Sequence, residues 1–123
     1  MAKKILIIED DKLLASLLKK KLKKEGYEVL VTFQGDKGLS KAKEIMPDLI
    51  LLDIIMPVMN GFEVMEKIQK DQDLAKIPII IVSNSGQPVE IGRAQELGAR
   101  DWLIKAEFDP QEVVDKVKKQ IGK

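Results

Sequence analysis

Glu9, Asp10 and Asp11 stand in a row directly after the apolar run Ile5–Ile8, and Asp53 follows a second run, Leu49–Leu52. Ser83, Asn84 and Ser85 follow a third run, Ile79–Val82, and Lys105 follows Trp102–Ile104. If the runs lie side by side, Glu9, Asp10 and Asp53 crowd negative charge at close range. Such crowding raises carboxyl pKa values or recruits a cation. The chain has no histidine and no cysteine, so a ligand set made only of oxygens points to a hard cation, with Mg²⁺ the first candidate. Lys105 adds a movable positive charge. A cation and a lysine facing carboxylates make a place for a phosphoryl group, whose charge they offset. Two groups are available to accept it. Asp53 can act as a carboxylate nucleophile and form an acyl phosphate. Ser83 is the other candidate, but nothing nearby supplies a base, and its hydroxyl is better suited to donating a hydrogen bond to a phosphoryl oxygen.

Composition removes other chemistries. Without cysteine there is no disulfide scaffold, thiolate zinc site or thiol nucleophile, and without histidine there is no Ser-His-Asp triad. Twenty-one basic residues against 20 acidic ones give a net charge of +1, which argues against a strongly basic nucleic-acid binder. Lys3 and Lys4 precede only four apolar residues before Glu9, too few for a secretory core or a membrane span. A cytoplasmic location is the expectation.

The elements that must position these groups follow from the pattern. Short runs rich in Ile, Leu and Val (5–8, 29–31, 49–52, 79–82 and 102–104) read as strands buried on both faces. Between them lie stripes of helical period: Leu14, Leu17, Leu18 and Leu22; Leu39, Ala42 and Ile45; Gly61, Val64, Met65 and Ile68; Ile91, Ala94, Leu97 and Gly98; Val113, Val114, Val117 and Ile121. Gly26 and Gly98 are helix-ending candidates, and Asp109-Pro110 reads as an N-cap followed by proline in the first turn. The expected fold is α/β: a doubly wound (βα)5 domain, flavodoxin-like, with five parallel strands in order 2-1-3-4-5 and helices on both faces. Ligands of such sheets bind beyond the carboxyl ends of the strands, where the acids, Ser83 and Lys105 would meet.

Four segments together, Ile5 to Asp11, Pro47 to Gly61, Pro78 to Ser83 and Gly98 to Lys105, closely resemble the receiver domains of two-component response regulators. The resemblance runs from Lys4 to about Ile121 and implies a single receiver domain over 1–123. It implies that Asp53 is the phosphoacceptor. Asp10 and Asp53 would be direct Mg²⁺ ligands, Glu9 would act through a bound water, and the backbone carbonyl of Ile55 would complete the metal site. Ser83 would be the switch hydroxyl, Lys105 the lysine that pairs with the phosphoryl group, and Trp102 would stand at the aromatic switch position. A sensor histidine kinase or phosphotransfer protein would supply the phosphoryl group, and small acyl phosphates can sometimes replace it. The output would be a partner protein, or an output domain beyond this chain, with no direct nucleic-acid binding, no membrane contact and a monomer or weak dimer in solution. The first helix is the kinase-docking element of the family; its lysine run, Lys19 to Lys21 with Lys23 and Lys24, is read first as a solvated face.

The sequence departs from the family pattern at four points. Trp102 replaces the usual Tyr or Phe. Ala106 stands where proline usually follows the lysine, so a trans peptide and a rearranged loop over 105–108 are expected. Asn84 replaces a small residue. Ile55 offers no hydrogen bond to an attacking water, which predicts slow loss of the phosphoryl group. The competing function is a phosphorylation-independent protein-binding module on the same fold, for which the intact acids, Ser83 and Lys105 would be superfluous. An aspartyl-phosphate phosphatase would want a second Asp where Ile55 stands, and a flavodoxin would want a phosphate loop where Glu9 to Asp11 stand. The chain is therefore expected to be a signalling domain rather than an enzyme, catalysing only its own phosphorylation and dephosphorylation.

Overall fold

The computed structural model describes residues 2–107 and 109–122. The strands are β1 (Lys4–Ile8), β2 (Glu28–Thr32), β3 (Leu49–Leu52), β4 (Ile79–Ser83) and β5 (Ala99–Ile104). The helices are α1 (Lys12–Lys24), α2 (Gly35–Ile45), α3 (Gly61–Gln69), α4 (Pro88–Glu96) and α5 (Pro110–Ile121), with a short 3-10 turn at Leu74–Lys76. All strand pairs are parallel and the order is β2-β1-β3-β4-β5, as the alternation of apolar runs and helical stripes predicts.

The sheet separates two apolar layers because successive strand side chains point to opposite faces. Ile5, Ile7, Leu49, Leu51, Ile80 and Val82 face α1 and α5, where they meet Leu18, Leu22, Val113 and Val117. Leu6, Ile8, Ile50, Leu52, Ile79 and Ile81 face the other layer with Leu39, Val64, Met65 and Ile68. The central strands are buried on both sides, and their apolar runs give way to polar residues only at the carboxyl ends, at Glu9, Asp53 and Ser83.

Helix ends are set locally. Asp11 caps α1 by accepting from the backbone N–H groups of Leu13 and Leu14, and Asp109 caps α5 through the Glu112 N–H. Gly26 and Gly98 adopt positive φ, 98° and 101°, one residue beyond the caps of α1 and α4.

Three expectations need correction. Leu17 is 49% exposed; the inward stripe of α1 is Ala15, Leu18 and Leu22, so Leu17 lies one step around the helix on its outer face. Along the expected stripe of α4 only Ala94 is buried. β5 begins three residues earlier than its apolar run, at Ala99, because an edge strand tolerates Arg100 and Asp101 at positions that reach solvent. No peptide bond among the described residues is cis, so the Lys105–Ala106 bond is trans as expected. The chain turns after β5 with Glu107 N–H on the Ile104 carbonyl (2.9 Å). Phe108, the last residue of the loop expected to be rearranged, lies outside the described residues.

Candidate functional site

The sheet delivers its polar residues to one rim. Glu9 leaves β1, with its N–H on the Thr32 carbonyl of β2, and Asp53 leaves β3, with its N–H on the Ile8 carbonyl of β1. Lys105 leaves β5, its N–H 2.7 Å from the Ser83 carbonyl at the end of β4. Backbone pairing between neighbouring strands therefore fixes where the three functional side chains start.

Lys105 Nζ lies 2.9 Å from Glu9 Oε2 and 3.1 Å from Asp53 Oδ2. Glu9 and Asp53 are almost wholly buried, 2% and 4% exposed, whereas Asp10 faces solvent. Carboxylate oxygens of Glu9, Asp10 and Asp53 all lie within 4.8 Å of one another. The remaining bonds are local: Asp11 N–H donates to Glu9 Oε2 (3.0 Å) and Ile54 N–H to Asp53 Oδ1 (2.7 Å). Glu9 Oε1 is buried and has no hydrogen-bond partner among the described residues.

Three acids thus face one ammonium. Burial pushes the Glu9 carboxyl up to about 8, and the Asp53 charge adds to this while the Asp11 N–H and Lys105 oppose it. Burial also raises Asp53, and the charge and hydrogen bond of Lys105 oppose it. For Lys105 burial acts downward, but the Glu9 bond and the Asp53 charge outweigh it and hold the ammonium above its ordinary value. The surplus negative charge, the all-oxygen donor set and the unpartnered Glu9 Oε1 suit a hard divalent cation.

The other predicted residues surround this centre. Ser83 is buried at the end of β4, and its Oγ accepts from the Ser85 N–H at 3.3 Å. Among the described residues no hydrogen bond joins it to Asp53. Trp102 is half-buried, and its Nε1–H donates to the Ser85 carbonyl (2.7 Å), tying β5 to the β4–α4 loop. The Ile55 side chain is exposed on the loop after β3. That loop closes tightly: Gly61 N–H reaches the Ile54 carbonyl at 2.8 Å, and a Cβ on Gly61 would lie 2.3 Å from the Asp53 carbonyl oxygen. Only glycine permits that approach. Asn60 then starts α3 with a capping box, its side chain accepting from Glu63 N–H while Glu63 accepts from Asn60 N–H.

Sequence reasoning missed two features of this rim. Val58 has φ 70°, with Met59 N–H on the Pro57 carbonyl (2.8 Å), a conformation that a β-branched residue gives no reason to expect. Arg93 of α4 lies over the Phe62 ring of α3; no local pattern signals a contact between residues 31 positions apart.

Comparison with known proteins agrees with the geometry. Residues 5–118 match the family model described as the response regulator receiver domain. The chain is 35% identical over 115 residues to the DNA-binding dual master transcriptional regulator RpaA of Synechocystis, covering 94% of this chain and 47% of that protein. It is 35% identical over 118 residues to the alkaline phosphatase synthesis transcriptional regulatory protein PhoP of Bacillus subtilis, covering 96% and 48%. The chain thus spans about half the length of these curated relatives. Among solved structures it is similar to the Vibrio cholerae chemotaxis protein CheY4, with a TM-score of 0.92, 26% identity, and 98% and 100% of the two chains covered.

Proposed function

Because the chain belongs to the response regulator receiver domain family, we propose that it is a phosphorylation-activated signalling switch whose acceptor is Asp53. The donor is a histidine kinase or a phosphotransfer protein, and the modified form changes its binding to an output partner. One observation carries the reading: the buried Asp53 carboxylate lies 3.1 Å from the Lys105 ammonium inside a cluster of three acids.

The chemistry assigned to each residue follows. An Asp53 oxygen attacks phosphorus, the bond from phosphorus to the donor breaks, and the leaving group departs with its electron pair, leaving an acyl phosphate. Lys105 stabilises the charge on the transferred group. Glu9 and Asp10 with Asp53, together with the Ile55 backbone carbonyl, would hold Mg²⁺, Glu9 through water. When bound, the cation offsets the charge of the incoming phosphoryl group. Ser83 turns its hydroxyl from Ser85 toward the new dianion. That movement and the Trp102–Ser85 bond transmit the change to β5 and α4 as a population shift. A constitutive binding module on this fold would have no use for three acids competing over one lysine.

No helix among the described residues is long and apolar enough to cross a membrane. A cytoplasmic single receiver domain over 1–123 is part of the proposal, as is its role as a signalling domain without turnover of a released substrate. The test is intact-protein mass after incubation with acetyl phosphate, with and without Mg²⁺, beside Asp53→Ala. One added phosphoryl mass that requires both Mg²⁺ and Asp53 supports the proposal. Equal labelling of Asp53→Ala places the acceptor elsewhere and refutes it.

A further inference from the structure

α4 is weakly anchored for a helix of a packed domain. It buries only Ala94, whereas α5 buries Val113, Val114 and Val117 and α3 buries Phe62, Val64, Met65 and Ile68. Buried apolar area is the main force seating a helix on a sheet, so α4 receives little of it. A cavity of about 180 Å³ separates α4 from β5, lined by Ile91, Ala94 and Gln95 on one side and Arg100 and Trp102 on the other.

α4 rests on β5, and side-chain contacts tie it sideways to α3. The Arg93 guanidinium lies 4.3 Å from the centroid of the Phe62 ring, and its Nη2 donates to Glu66 Oε1 at 3.2 Å. One turn further on, Gln69 Nε2 donates to the Leu97 carbonyl at 2.6 Å. Glycine at 98 leaves room for that amide, since a Cβ there would lie 2.2 Å from Gln69 Nε2. Phe62 is itself fixed, being buried and following Gly61, which packs against the Asp53 carbonyl and bonds to Ile54. A short physical chain therefore runs from the Asp53 backbone through Gly61 and Phe62 to Arg93 and α4. It shares no residue with the Ser83–Ser85–Trp102 connection.

We infer that Arg93, clamped between the Phe62 ring and Glu66, is a positioning residue that sets the resting place of α4 and fastens it to the segment carrying Asp53. The inference borrows from the proposed switch only the use of an α4 displacement; the clamp itself needs no phosphoryl group.

The test therefore omits any phosphodonor. Amide hydrogen exchange of residues 88–96 is compared with that of 110–121 in the whole protein, in Arg93→Ala and in Arg93→Lys, with Trp102 emission recorded on the same samples. Arg93→Ala is expected to speed exchange in α4 about 3–5-fold, the size of one cation–aromatic contact, to leave α5 unchanged and to shift Trp102 emission to the red. Arg93→Lys keeps a cation over the ring and falls between. Unchanged exchange in α4, or equal acceleration in α4 and α5, overturns the clamp. Faster α4 exchange with unmoved Trp102 emission overturns its link to β5. Failure of the proposed function would appear instead as absent labelling with acetyl phosphate and would leave these readouts intact.

Discussion

Val58 holds its β-branched side chain 75% exposed at φ 70°, so no burial offsets the backbone cost. Left-handed backbone costs an L-residue about 1–2 kcal/mol, and asparagine least among residues with a side chain. Val58→Asn is expected to raise stability by about 1 kcal/mol in urea unfolding, and a loss of stability would show that the isopropyl group makes a contact of its own. Glu9 gives a pH dependence of defined sign. Its carboxyl is near 4.5 in the unfolded chain and about 8 in the folded one, so between these values the folded state holds a proton that the unfolded state has released. Stability then falls as pH rises through that window. Urea midpoints in chelator at pH 5, 6.5 and 8 should decline, and Glu9→Gln should flatten the trend. If Mg²⁺ binds the same carboxylates, its affinity should rise over the same window as the proton is displaced. For Ile55, whose exposed side chain cannot orient water, the expected phosphoryl lifetime is minutes or longer, read by mass after removal of the donor; loss within seconds would refute it.

The elements show which parts of the molecule a sequence discloses. The three inner strands are apolar but for Lys4 at the start of β1 and Ser83 at the end of β4, because helices cover both their faces, and their runs could be read directly. The edge strands could not be bounded so well: Glu28 and Thr32 belong to β2, and Arg100 and Asp101 to β5, polar residues that an edge accepts and periodicity discards. The 3-10 turn at Leu74–Lys76 has no period to find. The site was legible for the same reason as the inner strands, since an acid just past a fully buried run must sit at the rim. The Arg93 clamp was not, because an arginine in an amphipathic helix looks solvated until its neighbour is known. Caps lie between these cases. Asp109-Pro110 was visible as a cap, whereas the Asn60–Glu63 box emerges only once α3 is seen to start at Gly61. Asn60→Ala should cost about 1 kcal/mol by thermal or chemical unfolding. Because α3 begins where the Asp53 loop ends, the same change should also slow labelling by acetyl phosphate.

At the scale of the whole molecule, two apolar layers share one sheet, and every inner strand contributes to both. Neither layer can lose its packing without exposing the other, which makes a single cooperative transition the expectation. Leu18→Ala, on the α1–α5 side, and Ile68→Ala, on the α3 side, should each lower stability by about 2–4 kcal/mol. Trp102, which packs on the second layer, should report both in one transition; a separate early transition in either variant would show that the layers unfold independently. The acid cluster at the rim has a consequence for the history and engineering of such a chain. Three carboxylates around one lysine are mutually frustrated, and exchange of an acid for its amide relieves that repulsion. Selection for a sturdier fold alone would therefore dismantle this rim early, and a heat-resistant descendant with Asn at position 10 or 53 would be a better-folded protein that has gone silent.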